Sequence, residues 1–295
     1  MDGGPTLRAG FRPCASLPIA AVALGMAIAG TRADATETAR PVFRCEERVA
    51  DDVVASVSDT GEFRLVSGTL VRLADLRLAR DGDGARRGLA FLRTIAGSPV
   101  LAREVGPPDR WGRAAAHLAL PGTPGIDLGE LLVSEGLAVV DPGGRDLLCR
   151  PELLAAEERA RRARLGLWRD GAWPLATGGH EALAGASGDF AIVQGRVVSV
   201  GERRERTYLN FGRDWSRDFN VTIPRRSWES LKARGVTAAS LTGRTIRVRG
   251  TVEIRRAPTL DLPVPDMLEI VDEDRGTAGK DERDRRATPP PGRGG

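Results

Sequence analysis

The chain has 295 residues, with 44 basic against 40 acidic side chains and a formal charge of +4 at pH 7. Its 41% hydrophobic and 28% charged residues suit one large or two small folded domains and argue against wholesale disorder. No apolar run reaches the roughly 18–20 residues of a membrane span. The two histidines exclude a His-rich metal site, and the three cysteines exclude a Cys₄ zinc centre or a disulfide-dense mini-fold. All basic residues except Lys232 and Lys280 are arginine. That ratio fits either a GC-rich coding bias or phosphate recognition by planar guanidinium groups, and does not choose between them.

The chain opens with an address. Arg8 and Arg12 precede Leu17–Gly30 (LPIAAVALGMAIAG), too short to span a bilayer but suited to a signal-peptide core. Ala33-Asp34-Ala35 fits the small-x-small cleavage pattern. Residues 1–35 are therefore expected to be a signal peptide, and the mature protein periplasmic or secreted with no membrane span left. The alternative is an uncleaved N-terminal anchor. Export removes Cys14 and leaves Cys45 and Cys149 as an even pair in an oxidising compartment. They are expected to form a disulfide closing a loop of about 105 residues, for which chain entropy gives about 4.7 kcal/mol. The alternative is two buried thiols.

Strand patterns follow over Arg44–Val57, Phe63–Val66 and Leu70–Leu76, with a turn at Ser67-Gly68. Leu89, Leu92 and Ile95 stand at helical spacing in Arg86–Ile95, which Gly97 ends. Strands Val100–Val105 and Ala114–Leu120 flank a loop, Gly106–Arg113. Asp127–Glu135 reads as a short helix stopped by Gly136. Pro151–Leu165 is the strongest helix, with Pro151 in its first turn, Glu152, Glu157 and Glu158 early and four arginines late, an order that complements the helix dipole. Gly166 ends it and Trp168 follows as an anchor.

Three strands, a helix, two strands and two helices form an order that resembles the thermonuclease (staphylococcal-nuclease-like) family, an OB barrel with three helices. The resemblance spans about Val42–Trp168, in a domain expected over residues 42–173, and rests on three segments. Pro108–Arg113 (PDRWGR), running into Ala114–Leu118, resembles the family's D-[KR]-aromatic-G-R turn. Leu131–Val139 resembles its second helix, and Leu153–Trp168 its terminal helix and closing G-[LI]-W. The resemblance implies calcium-dependent phosphodiester hydrolysis. Two aspartates would hold the ion, a glutamate would serve the attacking water, and two arginines would meet charge developing on the phosphoryl group.

The carry-over is incomplete. Arg72 and Arg113 stand at the two catalytic arginine positions. The metal-binding aspartates fall on Gly61 and Arg77, and the glutamate on Arg80. Unit charges about 4 Å apart at an effective dielectric of about 20 interact by about 4 kcal/mol, and a divalent ion doubles that. An arginine in place of an aspartate therefore opposes calcium. Two rescues are open: Asp75, Asp81 and Asp83 around Asp81-Gly82-Asp83-Gly84 form a displaced cation loop, or Glu62 turns inward. Otherwise these acids pair with Arg77, Arg80, Arg86 and Arg87 on a solvated surface. What remains is a cleft expected to be positive throughout, lined by Arg72, Arg113, Arg77 and Arg80, which favours an anion such as phosphate or a nucleic-acid backbone. Arg110 and Trp111 sit on the neighbouring turn, where the ring either stacks on a base or anchors the loop.

Residues 174–188, small and Gly/Ala-rich, read as a linker. Three strands (Phe190–Val200, Thr207–Gly212, Asp218–Ile223), a helix (Trp228–Ala233) and two strands (Thr245–Ile254, Leu260–Val271) follow, the order of a second OB-like β-barrel over residues 189–272. The fold class is thus mainly β with helices (α+β). Residues 273–295 read as a disordered tail. The second unit has neither Cys nor His, and its arginines are numerous, among them Arg206, Arg247 and Arg249. Tyr208, Phe211, Trp215 and Phe219 fall among them, as in single-strand nucleic-acid binders. Alternation puts Phe211 and Phe219 in the core and leaves Tyr208 and Trp215 as contacts, although acids nearly balance the bases here. The leading expectation is an exported, catalytically degenerate nuclease homologue that binds nucleic acid or another polyanion and needs no cofactor, calcium belonging only to an intact family site. The alternatives are a phosphodiesterase with a displaced cation site and a protein-interaction module of the envelope.

Overall fold

The computed structural model describes residues 44–45, 47–79, 82–122, 125–169, 171 and 173–271. The expected signal peptide and tail lie outside the described residues. The first barrel runs β1 (Glu47–Val57), β2 (Phe63–Leu65), β3 (Leu70–Leu73), β4 (Leu76–Leu78), α1 (Gly82–Arg93), β5 (Pro99–Val105), β6 (Arg113–Leu120), β7 (Ile126–Asp127), α2 (Leu128–Ser134), β8 (Ala138–Val140) and α3 (Leu153–Arg162). β2 and β3 alternate buried and outward residues, so Phe63, Leu65, Val71 and Leu73 enter the core while Arg64 and Arg72 point out. β1 pairs antiparallel with β2 and β5, β2 with β3, and β5 with β6. The parallel pairing of β3 with β6 closes five strands into a barrel, as expected for an OB-like fold. β4 and β8 form a separate ladder that sets Arg77 opposite Val139.

Local chemistry explains the helix ends. Asp127 caps α2, its carboxylate accepting from the Glu130 N–H at 2.8 Å. Past α2, Gly136 has φ +64°, and a β-carbon there would lie 2.4 Å from the Leu165 carbonyl oxygen. Gly166 faces it, with a β-carbon site 2.1 Å from the Gly136 oxygen. The G-L-W segment after α3 therefore needs glycine because two backbones meet there. Trp168 is buried beside Val139 and Ala160. Cys45 and Cys149 are joined in a disulfide.

The second barrel begins inside the expected linker, which carries β9 (Leu175–Ala176) and α4 (His180–Gly185). β9 pairs with the next strand, and Leu183 of α4 is fully buried, so docking by tertiary contact orders a segment with little pattern of its own. Then come β10 (Phe190–Arg196), β11 (Ser199–Glu202), β12 (Arg206–Asn210), β13 (Asn220–Pro224), α5 (Arg225–Ala233), α6 (Ala238–Leu241), β14 (Thr245–Ile254), β15 (Pro258–Asp261) and β16 (Leu268–Ile270). β10 and β11 are the halves of one kinked strand. At the kink Val197 donates to Arg244 and Val198 to Asn210. β10 thus pairs with β14 and β11 with β12, while β13 runs parallel to β15. The topology of the first barrel recurs. The single strand expected over Leu260–Val271 is instead β15 and β16, split by Pro263 and Pro265, which cannot donate to a ladder.

Two arginines expected on a basic surface are buried. Arg247 and Arg249 are 5% and 2% exposed. Arg249 donates to Glu157 of α3 at 2.8 Å and pairs with Glu269, and Arg247 reaches Glu158 at 3.2 Å. Glu157, expected as an early helix charge, is itself 3% exposed and accepts the Val140 N–H at 2.6 Å. Burial opposes the charge on Arg249, but Glu157 and Glu269 outweigh it and raise its pKa. The two barrels are therefore locked through a buried ion network. Asp266 adds a second lock, taking hydrogen bonds from Arg44 and Arg234. Among the described residues no helix is long and apolar enough to cross a membrane.

Candidate functional site

Register places the two arginines of the first barrel. Leu70 pairs with Arg113 across the parallel β3–β6 ladder, and Arg72 lies two residues beyond Leu70. A strand period of two puts Arg72 and Arg113 on the same outer face. Beside them opens a cleft of about 470 Å³, walled by Asp59–Glu62, by Arg72 and Leu76–Ala79, by α1, and by Asp141 and Gly143. A second cleft of about 400 Å³ lies between the barrels. The two share Arg72, Arg77, Asp141 and Gly143.

The first cleft is not positive throughout. Glu62 turns inward, where it lines the cleft and pairs with Arg113. Arg113 also holds Asp109 through Nε at 2.9 Å, and these bonds, to Asp109 first and then Glu62, raise its pKa against desolvation. Arg77 donates Nε to Asp141 Oδ2 at 2.8 Å and lies 4.9 Å from the ring centroid of Phe190 in the second barrel. Asp59 pairs with Arg93, and Arg86 with Asp83. Arg80 and Asp81 lie outside the described residues. Asp75 belongs to no surface cation loop. It is 1% exposed and binds Arg145, the Arg150 N–H at 2.7 Å and His117.

Arg72 stands apart. On the walls of both clefts every other charged side chain among the described residues has an opposite charge within 4.0 Å. The exposed guanidinium of Arg72 has none among the described residues. Gly143, at φ +63°, passes so near that a β-carbon would come within 3.3 Å of Arg72 Nη2. The loop hugs the guanidinium with backbone alone.

Of the expected aromatic contacts, Trp111 is 62% exposed, with Arg110 and Arg113 over its ring at 4.3 and 4.8 Å. Trp215 is also 62% exposed and stands near Arg256. Tyr208 projects from the outer face of β12. Neither Trp215 nor Tyr208 lines either cleft. Phe219 is fully buried and Phe211 packs against it at 5.3 Å, as alternation implied.

Sequence reasoning missed Asp141 as the partner of Arg77, because the residues lie 64 positions apart and meet only through the β4–β8 ladder. It also missed the cross-barrel arginines. Their signal was present in Ile246-Arg247-Val248-Arg249, where both faces of β14 are buried.

Among the described residues, one group of three ligand-type side chains converges, Asp75, His117 and Cys149. The Cys149 sulfur is committed to the disulfide. Residues 86–170 match the family model described as Staphylococcal nuclease homologue. The match runs from α1 to the turn after Trp168 and includes Arg113, while β1–β4, with Gly61, Arg72 and Arg77, precede it. The chain thus carries a nuclease-type domain built on an OB-like barrel. No curated protein matches the chain.

Proposed function

We propose that the cleft of this staphylococcal-nuclease-type barrel holds an anionic group of a nucleic-acid backbone, or of another polyanion, at Arg72 without calcium and without hydrolysis, in an exported protein. One observation carries the reading: among the described residues Arg72 is the unpartnered charge at the junction of two clefts whose other described charges are neutralised. An exposed guanidinium fork matches a phosphate oxygen pair and favours one net negative charge.

The residues present do not fit a calcium ion, which takes six to eight oxygen ligands. Among the described residues Asp59, Glu62 and Asp141 are the carboxylates of the first cleft, and each is already bound to an arginine. An aspartate at Gly61 would need φ +79° and would drive its β-carbon to 2.2 Å from Leu78 Cδ1. Arg77 places a fixed positive charge, held by Asp141, where the family resemblance has a carboxylate. Among the described residues no group at the cleft is left to activate a water, since Glu62 is engaged by Arg113.

The test is fluorescence anisotropy with a labelled single-stranded oligonucleotide at low salt, with calcium or with chelator. Equal affinity in both, falling as salt rises, is expected. Arg72→Ala should weaken binding by roughly ten-fold or more, since hydrogen bonds to charged groups contribute about 1.5–3 kcal/mol. Calcium-dependent cleavage abolished by Arg72→Ala or Arg113→Ala overturns the reading.

A further inference from the structure

We propose that the cleft between the barrels is a nucleotide pocket, taking the base and ribose of the unit whose phosphate lies at Arg72. This rests on the Arg72 reading and extends it into the second barrel, which the family match does not reach.

The cleft's volume of about 400 Å³ falls in the range of small-ligand sites. Its walls offer the three kinds of surface that a nucleotide needs. Arg72 supplies charge. The exposed Pro263 and half-buried Phe190 supply apolar surface for a flat ring. Thr251, Glu253 and Asp261 supply acceptors. Arg255 pairs with both acids, at 2.8 and 2.7 Å. Arg206 also pairs with Asp261, at 3.2 Å, so two guanidinium groups offset the two carboxylates and they do not repel a phosphate. Glu253, which takes both bonds from Arg255 on Oε2, keeps Oε1 to accept from a ribose hydroxyl or an exocyclic amine.

The pocket is pre-formed. Arg249 lies in its wall and is fixed to Glu157 of the first barrel at 2.8 Å. Binding there does not first have to order one barrel against the other. The groove also continues outward. Tyr208 pairs with Thr222, and Thr222 with Asp261, in one row across β12, β13 and β15. Two strand spacings of about 4.8 Å set Tyr208 about 10 Å from Asp261, where its ring can stack on a following base.

The experiment is calorimetric titration of the full chain with a nucleoside monophosphate and, separately, with inorganic phosphate. The nucleotide is expected to bind at least about ten-fold tighter. Thr251→Trp, which fills the cleft from an exposed strand position, and Glu253→Ala, which adds no bulk, should each remove that preference and leave phosphate binding in place. Thermal melts check that both variants fold. Equal affinity for nucleotide and phosphate, or a preference that survives both substitutions, overturns the pocket and spares the Arg72 reading. If neither ligand binds in an Arg72-dependent way, both readings fall.

Discussion

Replacing Glu157 by alanine tests the lock between the barrels. Arg249 has no side-chain exposure and Glu157 has 4%. The substitution leaves a buried guanidinium with Glu269 as its remaining carboxylate partner, and it orphans the buried Val140 N–H. Charges about 4 Å apart at an effective dielectric of about 20 attract by about 4 kcal/mol. Breaking one partner out of a buried pair costs about 3–5 kcal/mol, and an orphaned N–H about 1–3. The surviving Glu269 offsets part of that sum and leaves about 3–4 kcal/mol. At roughly 2–4 °C per kcal/mol for a unit of this size, Tm should fall by roughly 6–16 °C. Urea denaturation and calorimetry would read both quantities. Glu157→Met combined with Arg249→Met should recover much of the loss, because an apolar pair of similar volume carries no desolvation penalty. A loss under about 1 kcal/mol for Glu157→Ala, or a double variant no more stable than the single one, would refute the reasoning.

Two further outcomes follow from the buried chemistry under the cleft. Burial opposes the Asp75 carboxylate, but the His117 hydrogen bond and the Arg145 charge outweigh it and hold its pKa below the ordinary 3.8. A depressed carboxylate stabilises the fold above its unfolded value and loses that contribution as pH falls through the folded one. The Tm gap between the native chain and Asp75→Asn should therefore be steady above about pH 4 and shrink below it; a gap that widens on acidification refutes the assignment. The Cys45–Cys149 bridge spans a sequence separation of 104 residues, so reduction should destabilise by up to about 4.7 kcal/mol. An unchanged urea midpoint under reductant would show that the bridge contributes nothing.

The sequence by itself determined the element order of both barrels and the cysteine pair. Those features rest on short-range signals: the period-two runs of β2, β3 and β14, the capping Asp127, and the glycines at 97, 136 and 166. It also marked Arg72 and Arg113, because the turn Asp109–Arg113 and the strand Leu70–Leu73 are locally recognisable. The ends were less legible, as with β15 and β16, where two prolines divide what hydrophobicity alone reads as one strand. Only the tertiary structure decided which charges are spent on each other. Arg77 meets Asp141, Arg113 meets Glu62 and Arg249 meets Glu157, across separations of 64, 51 and 92 residues. No local periodicity encodes such pairings, because they depend on where distant strands cross and on which faces a second barrel covers. Among the described residues the same crossings left Arg72 without a carboxylate, which made a strand arginine the candidate anion site.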